Sequence, residues 1–127
     1  TIHEVVTLAS IVEREVNTPA DRRLAADIFW RRLDAGIALQ ADSTVNYLTG
    51  KKTPAISAAD RRINSPYNTY QHRGLPPGPI ANPGLDAIRA VIESTPNNFW
   101  YFLTTPDGEV IYSQTLEQHN AAKAKYL

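Results

Sequence analysis

The stretch Leu8-Ala9-Ser10-Ile11-Val12-Glu13-Arg14-Glu15-Val16 sets carboxylates inside an apolar run. Ile2, Val5, Val6, Ala9, Val12 and Val16 recur at helical spacing, so residues 2–16 read as an amphipathic helix. On a wheel of about 100° per residue, Glu13 falls between Val6 and Ser10, in or beside the apolar arc. Arg14 points nearly the opposite way, and Glu4 and Glu15 fall beside Ile11 at the other edge. Glu13 is therefore the glutamate expected to lose water. Burial disfavours the charged carboxylate and keeps it protonated near neutral pH, which is what a general acid needs. The competing reading is a boundary glutamate paired with an arginine of the next helix.

Outward from this helix, Thr18-Pro19-Ala20-Asp21 has the residues of a helix start. A second helix is expected from Pro19 to about Ala35, burying Leu24, Ala25, Ile28, Phe29 and Leu33 and stopping at Gly36. Ile37 to Gln40 reads as a short strand. Asp42-Ser43-Thr44 reads as the cap of a short helix through Leu48 that Gly50 ends, and Ser57 to Asp60 as a capping box. Tyr67 to Tyr70 reads as a short extended piece. Prolines exclude regular structure from Gly74 to Ile80. Asn82-Pro83-Gly84 caps a helix to about Ser94, with Leu85, Ile88, Ala90, Val91 and Ile92 available for burial. Pro106-Asp107-Gly108 between Trp100–Thr104 and Glu109–Tyr112 is a hairpin signal, and Thr115 to Tyr126 a last helix. The fold class is α+β: one helix-rich domain with a small antiparallel sheet.

The 127 residues suffice for one core, and 43% hydrophobic with 20% charged residues is ordinary for a globular chain. Thirteen basic and thirteen acidic residues balance to zero, so no general field draws nucleic acid. Of the pairs Arg22-Arg23, Arg31-Arg32 and Arg61-Arg62, two lie in helical patterns and read as solvated faces. There is no cysteine, which excludes disulfides and thiolate metal sites, and His3, His72 and His119 have no ligand spacing. No phosphate loop or nucleophile elbow is present. No stretch approaches the ~18 apolar residues of a membrane span. The chain starts in mid-pattern at Thr1-Ile2-His3, as expected of a domain taken from a longer chain. Between Ser65 and Gly84, Tyr67, Asn68, Tyr70 and Gln71 offer the flat faces and amides that carbohydrate clefts use. A rigid proline loop covering the sheet accounts for that composition equally well.

LASIVERE at Leu8–Glu15, LQADSTVNY at Leu39–Tyr47, SPYNTY at Ser65–Tyr70, GLPPGPIANPG at Gly74–Gly84 and FWYFL at Phe99–Leu103 form, in this order and spacing, a set of five segments. Together they resemble the MltG/YceG-like endolytic murein transglycosylases. The resemblance covers nearly the whole chain. It implies a bacterial, extracytoplasmic catalytic domain with an active-site helix distantly like that of lysozymes. The parent would be anchored in the cytoplasmic membrane by a single span that, with a LysM-like region, precedes this part. It implies cleavage of the bond between N-acetylmuramic acid and N-acetylglucosamine in peptidoglycan, leaving 1,6-anhydro-muramyl ends and releasing nascent strands. Penicillin-binding proteins and the synthesis machinery are the implied partners. Neither nucleic acid nor membrane contact by this part is implied, and no cofactor or metal. The catalytic glutamate of the family maps to Glu13. Gln40, Asp42, Tyr67, Asn68, Thr69, Tyr70, Leu75 and Pro76 map to substrate-binding positions. Where the family often has proline after the aspartate, Ser43 follows Asp42, from which a changed turn and little loss of activity are expected. A single acid/base fits, because attack by the sugar's own C6 hydroxyl removes the need for a second carboxylate. The rivals are a muramidase that uses water, for which Asp42 is the nearest partner, and a catalytically silent glycan-binding or scaffold module.

Overall fold

The structure is a computed structural model that describes residues 1–51 and 56–127. Helix α1 spans Ile2–Glu15 and α2 spans Pro19–Asp34. Helix α3 is Asp42–Thr49, α4 is Ala58–Arg61 and α5 is Leu85–Ile92. Strands β1 (Tyr101–Thr104) and β2 (Val110–Ser113) precede α6 (Leu116–Tyr126). The helix-rich α+β class is as expected.

Local chemistry sets most of the boundaries. Thr18 caps α2 by accepting the Asp21 N–H at 3.1 Å, and Pro19 occupies the first helical position. Ser57 and Asp60 form the expected capping box of α4. Gly50 ends α3 in the left-handed region at φ 72°. The strands are antiparallel in the register Tyr101↔Ser113 to Thr104↔Val110. The turn closes with the Gly108 N–H on the Thr105 carbonyl at 2.9 Å, and Gly108 takes φ 88°.

Helix α1 is enclosed by α2, α3 and α5, and its residues Thr7 to Val12 are buried on every side. Leu8, Ile11, Val12, Phe29, Ala87 and Val91 are central to the core. The hairpin joins this core through Phe102, which meets Phe29 edge-on at 5.6 Å. Helix α6 packs against both strands.

Several local expectations are corrected. Ile37–Gln40 forms no strand; its backbone is held to α2 and to the Tyr67–Tyr70 segment, and Gln40 takes φ 53°. Tyr67–Tyr70 is a run of turns, because Asn68 accepts the Gln71 and His72 N–H groups on its carbonyl. Asp42 does not cap α3 but is its first residue; Ala41 is the cap and supplies no side-chain bond. Leu85 and Ile92 are exposed, since the buried side of α5 is Ala87, Ala90 and Val91. The proline loop is tied to α1: Ser10 Oγ accepts the Ile80 N–H at 3.0 Å, and His3 Nε2 donates to the Pro77 carbonyl at 2.7 Å.

Ser10 is fully buried and also donates to the Thr7 carbonyl at 2.6 Å. Ser10→Ala strands the Ile80 N–H in the interior, at a cost of about 1–3 kcal/mol. Urea denaturation should show a lower midpoint with an unchanged slope.

Candidate functional site

The two glutamates at the end of α1 meet different neighbours. Glu13 Oε2 accepts from Arg22 Nη2 of α2 at 2.6 Å, and Oε1 accepts the Gly84 N–H at 2.8 Å. A Cβ at position 84 would sit 3.1 Å from Glu13 Oε1, a tight contact that the carboxylate would have to yield to by a few tenths of an ångström. The expectation that Glu13 is the desolvated carboxyl is therefore corrected. The ion-pair alternative holds: Glu13 clamps α1 to α2 and to the start of α5.

Glu15 is the desolvated one. Its Oε2 accepts the Ser43 N–H at 3.0 Å, and it has no basic partner among the described residues. Burial pushes its carboxyl up to about 7; hydrogen bonding by Ser43, seen here as its N–H, opposes that rise and the neighbouring Asp42 charge adds to it. Glu15 lines a small cavity that opens to solvent. Arg32 of α2, Gln40, the Trp100–Phe102 wall and His119 of α6 line it as well.

The wheel missed Glu15 because it placed Ile11 at the edge of the apolar arc. Ile11 and Val12 are both fully buried, and Glu15 lies four and three residues further on. The spacing Leu8, Ile11, Glu15 was the available signal. Arg32 was read as part of a solvated pair, yet it is only 5% exposed. Trp100, Tyr101 and His119 were not selected, and only the fold brings them to α1.

Of the expected binding residues, Gln40 lines the Glu15 cavity. Asp42 adjoins it and accepts the Tyr70 hydroxyl, over whose ring Arg61 lies at 5.2 Å. Burial, then the Asp42 hydrogen bond, raises the Tyr70 phenol well above its ordinary range. Asn68 and Thr69 are buried supports. Asn68 Nδ2 donates to the Arg61 and Ile63 carbonyls at 3.0 and 2.8 Å, and Thr69 Oγ1 accepts the Ala41 N–H at 2.9 Å. Tyr67 packs on Tyr47 at 5.2 Å. Leu75 and Pro76 line a different cavity with His3 and Trp30. His3 lies twelve residues from Glu15 on α1, roughly 18 Å along the helix. Among the described residues no group of three His, Cys, Asp or Glu side chains could hold a metal, and no helix is long and apolar enough to cross a membrane.

Residues 1–125 match the model of the YceG-like family. An endolytic murein transglycosylase of Bacillus subtilis is 42% identical over 126 residues, covering 99% of this chain and 35% of that protein. One from Streptococcus pneumoniae is 38% identical, covering all of this chain and 24% of that protein. A solved structure of a yceG-like protein from Listeria monocytogenes superposes with a TM-score of 0.89 at 39% identity, covering 95% of this chain and 40% of that one. The chain thus spans about a quarter to two-fifths of these relatives.

Because the folded carboxyl of Glu15 holds its proton to about pH 7 against 4.5 for an ordinary glutamate, the native state binds more protons than the unfolded one in that window. Stability should fall as pH rises from 4.5 to 7 and then level, by on the order of 2–3 kcal/mol. Glu15→Gln should flatten that slope in denaturant titrations at pH 4.5 and 7.5.

Proposed function

Because the chain belongs to the YceG-like family, we propose that it is the catalytic part of an endolytic murein transglycosylase and that Glu15 is its general acid/base. The observation that carries the residue assignment is the Glu15 carboxyl itself: desolvated, in no ion pair among the described residues, and open to a cavity. The names of the relatives support peptidoglycan as the substrate. The aromatic wall of Trp100, Tyr101 and Phe102 supports a sugar as occupant, since flat rings pack on sugar faces.

The reaction needs one proton-transferring group. Glu15, protonated, gives its proton to the glycosidic oxygen as the bond from that oxygen to the muramyl anomeric carbon breaks. The carboxylate so formed takes the proton of the C6 hydroxyl as that oxygen bonds to the anomeric carbon. The products are a strand with a free 4-hydroxyl and a 1,6-anhydro-muramyl end. No water is consumed, and Glu15 is again protonated. Its place at the last turn of α1, where the helix dipole is negative, favours the neutral acid at the start. The Gln40 amide stands at the cavity to hold the N-acetyl group. Asp42 is occupied by the Tyr70 hydroxyl, which suits a supporting role better than activation of water. The Ser43 N–H opposes the rise of the Glu15 proton affinity, and a proline at that position could not do so.

This reading extends to the setting. The proposed location is outside the cytoplasmic membrane, on a parent anchored by a single span. The proposed partners are glycan strands and the penicillin-binding proteins that make them.

Glu15→Gln should lower kcat/KM on glycan strands by about 10²–10⁴-fold, the usual worth of a general acid/base. Glu13→Gln, if folded, should lose far less; the reverse order would return the role to Glu13. Mass spectrometry of the digest should find 1,6-anhydro ends, and reducing ends in their place would make the enzyme a hydrolase. Since Glu15 must start protonated, kcat/KM should fall tenfold per pH unit above about 7. Ser43→Pro should move that limb to higher pH.

A further inference from the structure

Arg32 is the cavity residue that this chemistry leaves unused. Its Nε and Nη2 donate to the Ala38 carbonyl at 3.2 and 2.6 Å, and Nη1 donates to the Trp100 carbonyl at 2.8 Å. Three of the five N–H groups of a guanidinium are so engaged, which leaves two without a protein acceptor among the described residues. No carboxylate of the described residues pairs with it. A buried cation is normally paired, because neutral carbonyls offset its lost hydration only in part. The neighbouring helical arginines behave that way: Arg22 pairs with Glu13 and Arg31 with Asp27.

Two side chains share this end of the cavity. The Tyr101 ring lies 5.2 Å from the Arg32 guanidinium carbon and stacks on His119 at 5.1 Å. His119 Nδ1 is buried with no hydrogen-bond partner among the described residues. Burial, and then the Lys123 and Arg32 charges, lower the proton affinity of His119, so it adds a neutral polar atom to this wall.

We infer that Arg32, with His119 and Tyr101 beside it, forms an anion subsite of the Glu15 cavity that takes a carboxylate borne by the muramyl residue. This rests on the glycan-strand reading above. N-acetylmuramic acid differs from N-acetylglucosamine by a 3-O-lactyl arm. That arm, or the peptide joined to it, supplies the carboxylate. The free guanidinium N–H groups bind it, and the desolvated setting makes the pairing selective. The subsite lets the cavity reject an uncharged N-acetylglucosamine polymer that would fill the same aromatic wall.

The test is binding to the Glu15→Gln chain, which leaves the strands uncut. The probes are an N-acetylglucosamine oligomer, peptide-free glycan strands, the same strands methyl-esterified, and peptide-bearing strands. Carboxylate-bearing strands should bind about tenfold tighter than the ester and the oligomer. Adding Arg32→Gln should abolish that preference, and Arg32→Lys should restore part of it. A preference seen with peptide-free strands assigns the lactyl carboxylate; one confined to peptide-bearing strands assigns the peptide. Equal binding of acid and ester, or a preference that persists in folded Arg32→Gln, overturns the subsite. Should Arg32→Gln fail to fold by circular dichroism, His119→Phe takes its place: a weakened preference supports the subsite and an undiminished one overturns it. A parent chain that prefers carboxylates but cuts no strand sinks the transglycosylase reading alone. One that cuts without preference sinks the subsite alone.

Discussion

A carboxyl group held at the end of a buried helix, with no ion-pair partner among the described residues, is the constraint around which this molecule is arranged. Helix α1 loses water because α2, α3 and α5 enclose it. Glu15, at its last turn, is carried into that enclosure by the same packing that buries Leu8 and Ile11. The carboxyl is costly in its charged form there, and the cost is what raises its proton affinity. Every other wall of the cavity comes from elsewhere: α2 brings Arg32, the hairpin its aromatic run, and α6 His119. Loss of α1 packing would relax the carboxyl and open the cavity together.

Glu13 and Glu15 divide two tasks that one residue could not perform. They are two positions apart, so at 3.6 residues per turn their side chains diverge by about 200°. Glu13 meets Arg22 and the Gly84 N–H and becomes a three-element clamp. Among the described residues the Glu15 carboxyl meets the Ser43 N–H and the edge of a cavity. A guanidinium stabilises the charged form and suits a strut, whereas its absence suits an acid. The arginines are divided likewise: Arg22 and Arg31 are spent on carboxylates, while Arg32 is spent on carbonyls and keeps its charge uncompensated.

The stretch from Ser65 to Gly84 has little regular structure, and buried side-chain hydrogen bonds hold it. Asn68 replaces a missing strand ladder by bonding the Arg61 and Ile63 carbonyls and the Tyr70 N–H. Thr44 and Thr69 join hydroxyls at 2.9 Å beside the Ala41 backbone, and Ser10 anchors Ile80. These are the amides and hydroxyls that composition alone offered equally to a sugar. A polar side chain satisfies a turn or a ligand by the same donors and acceptors, so its type cannot say which.

Helix starts and stops, the hairpin and the helix-rich α+β class were legible in the residues. They depend on neighbours in sequence: Thr18 before Pro19, Gly50 after Thr49, Asp107 before Gly108. Periodicity also showed that α1 carries glutamates into an apolar setting, and the resemblance in five segments pointed to the family. Tertiary structure alone decided which glutamate found a guanidinium, that Arg32 went inward, and that Trp100, Tyr101 and His119 closed the cavity. It also decided that Leu75 and Pro76 lie at the far end of α1 from Glu15. Caps and turns are satisfied within a few residues of chain. The charge state of a carboxyl depends on its surroundings, and here they are supplied by α2, α3, the hairpin and α6.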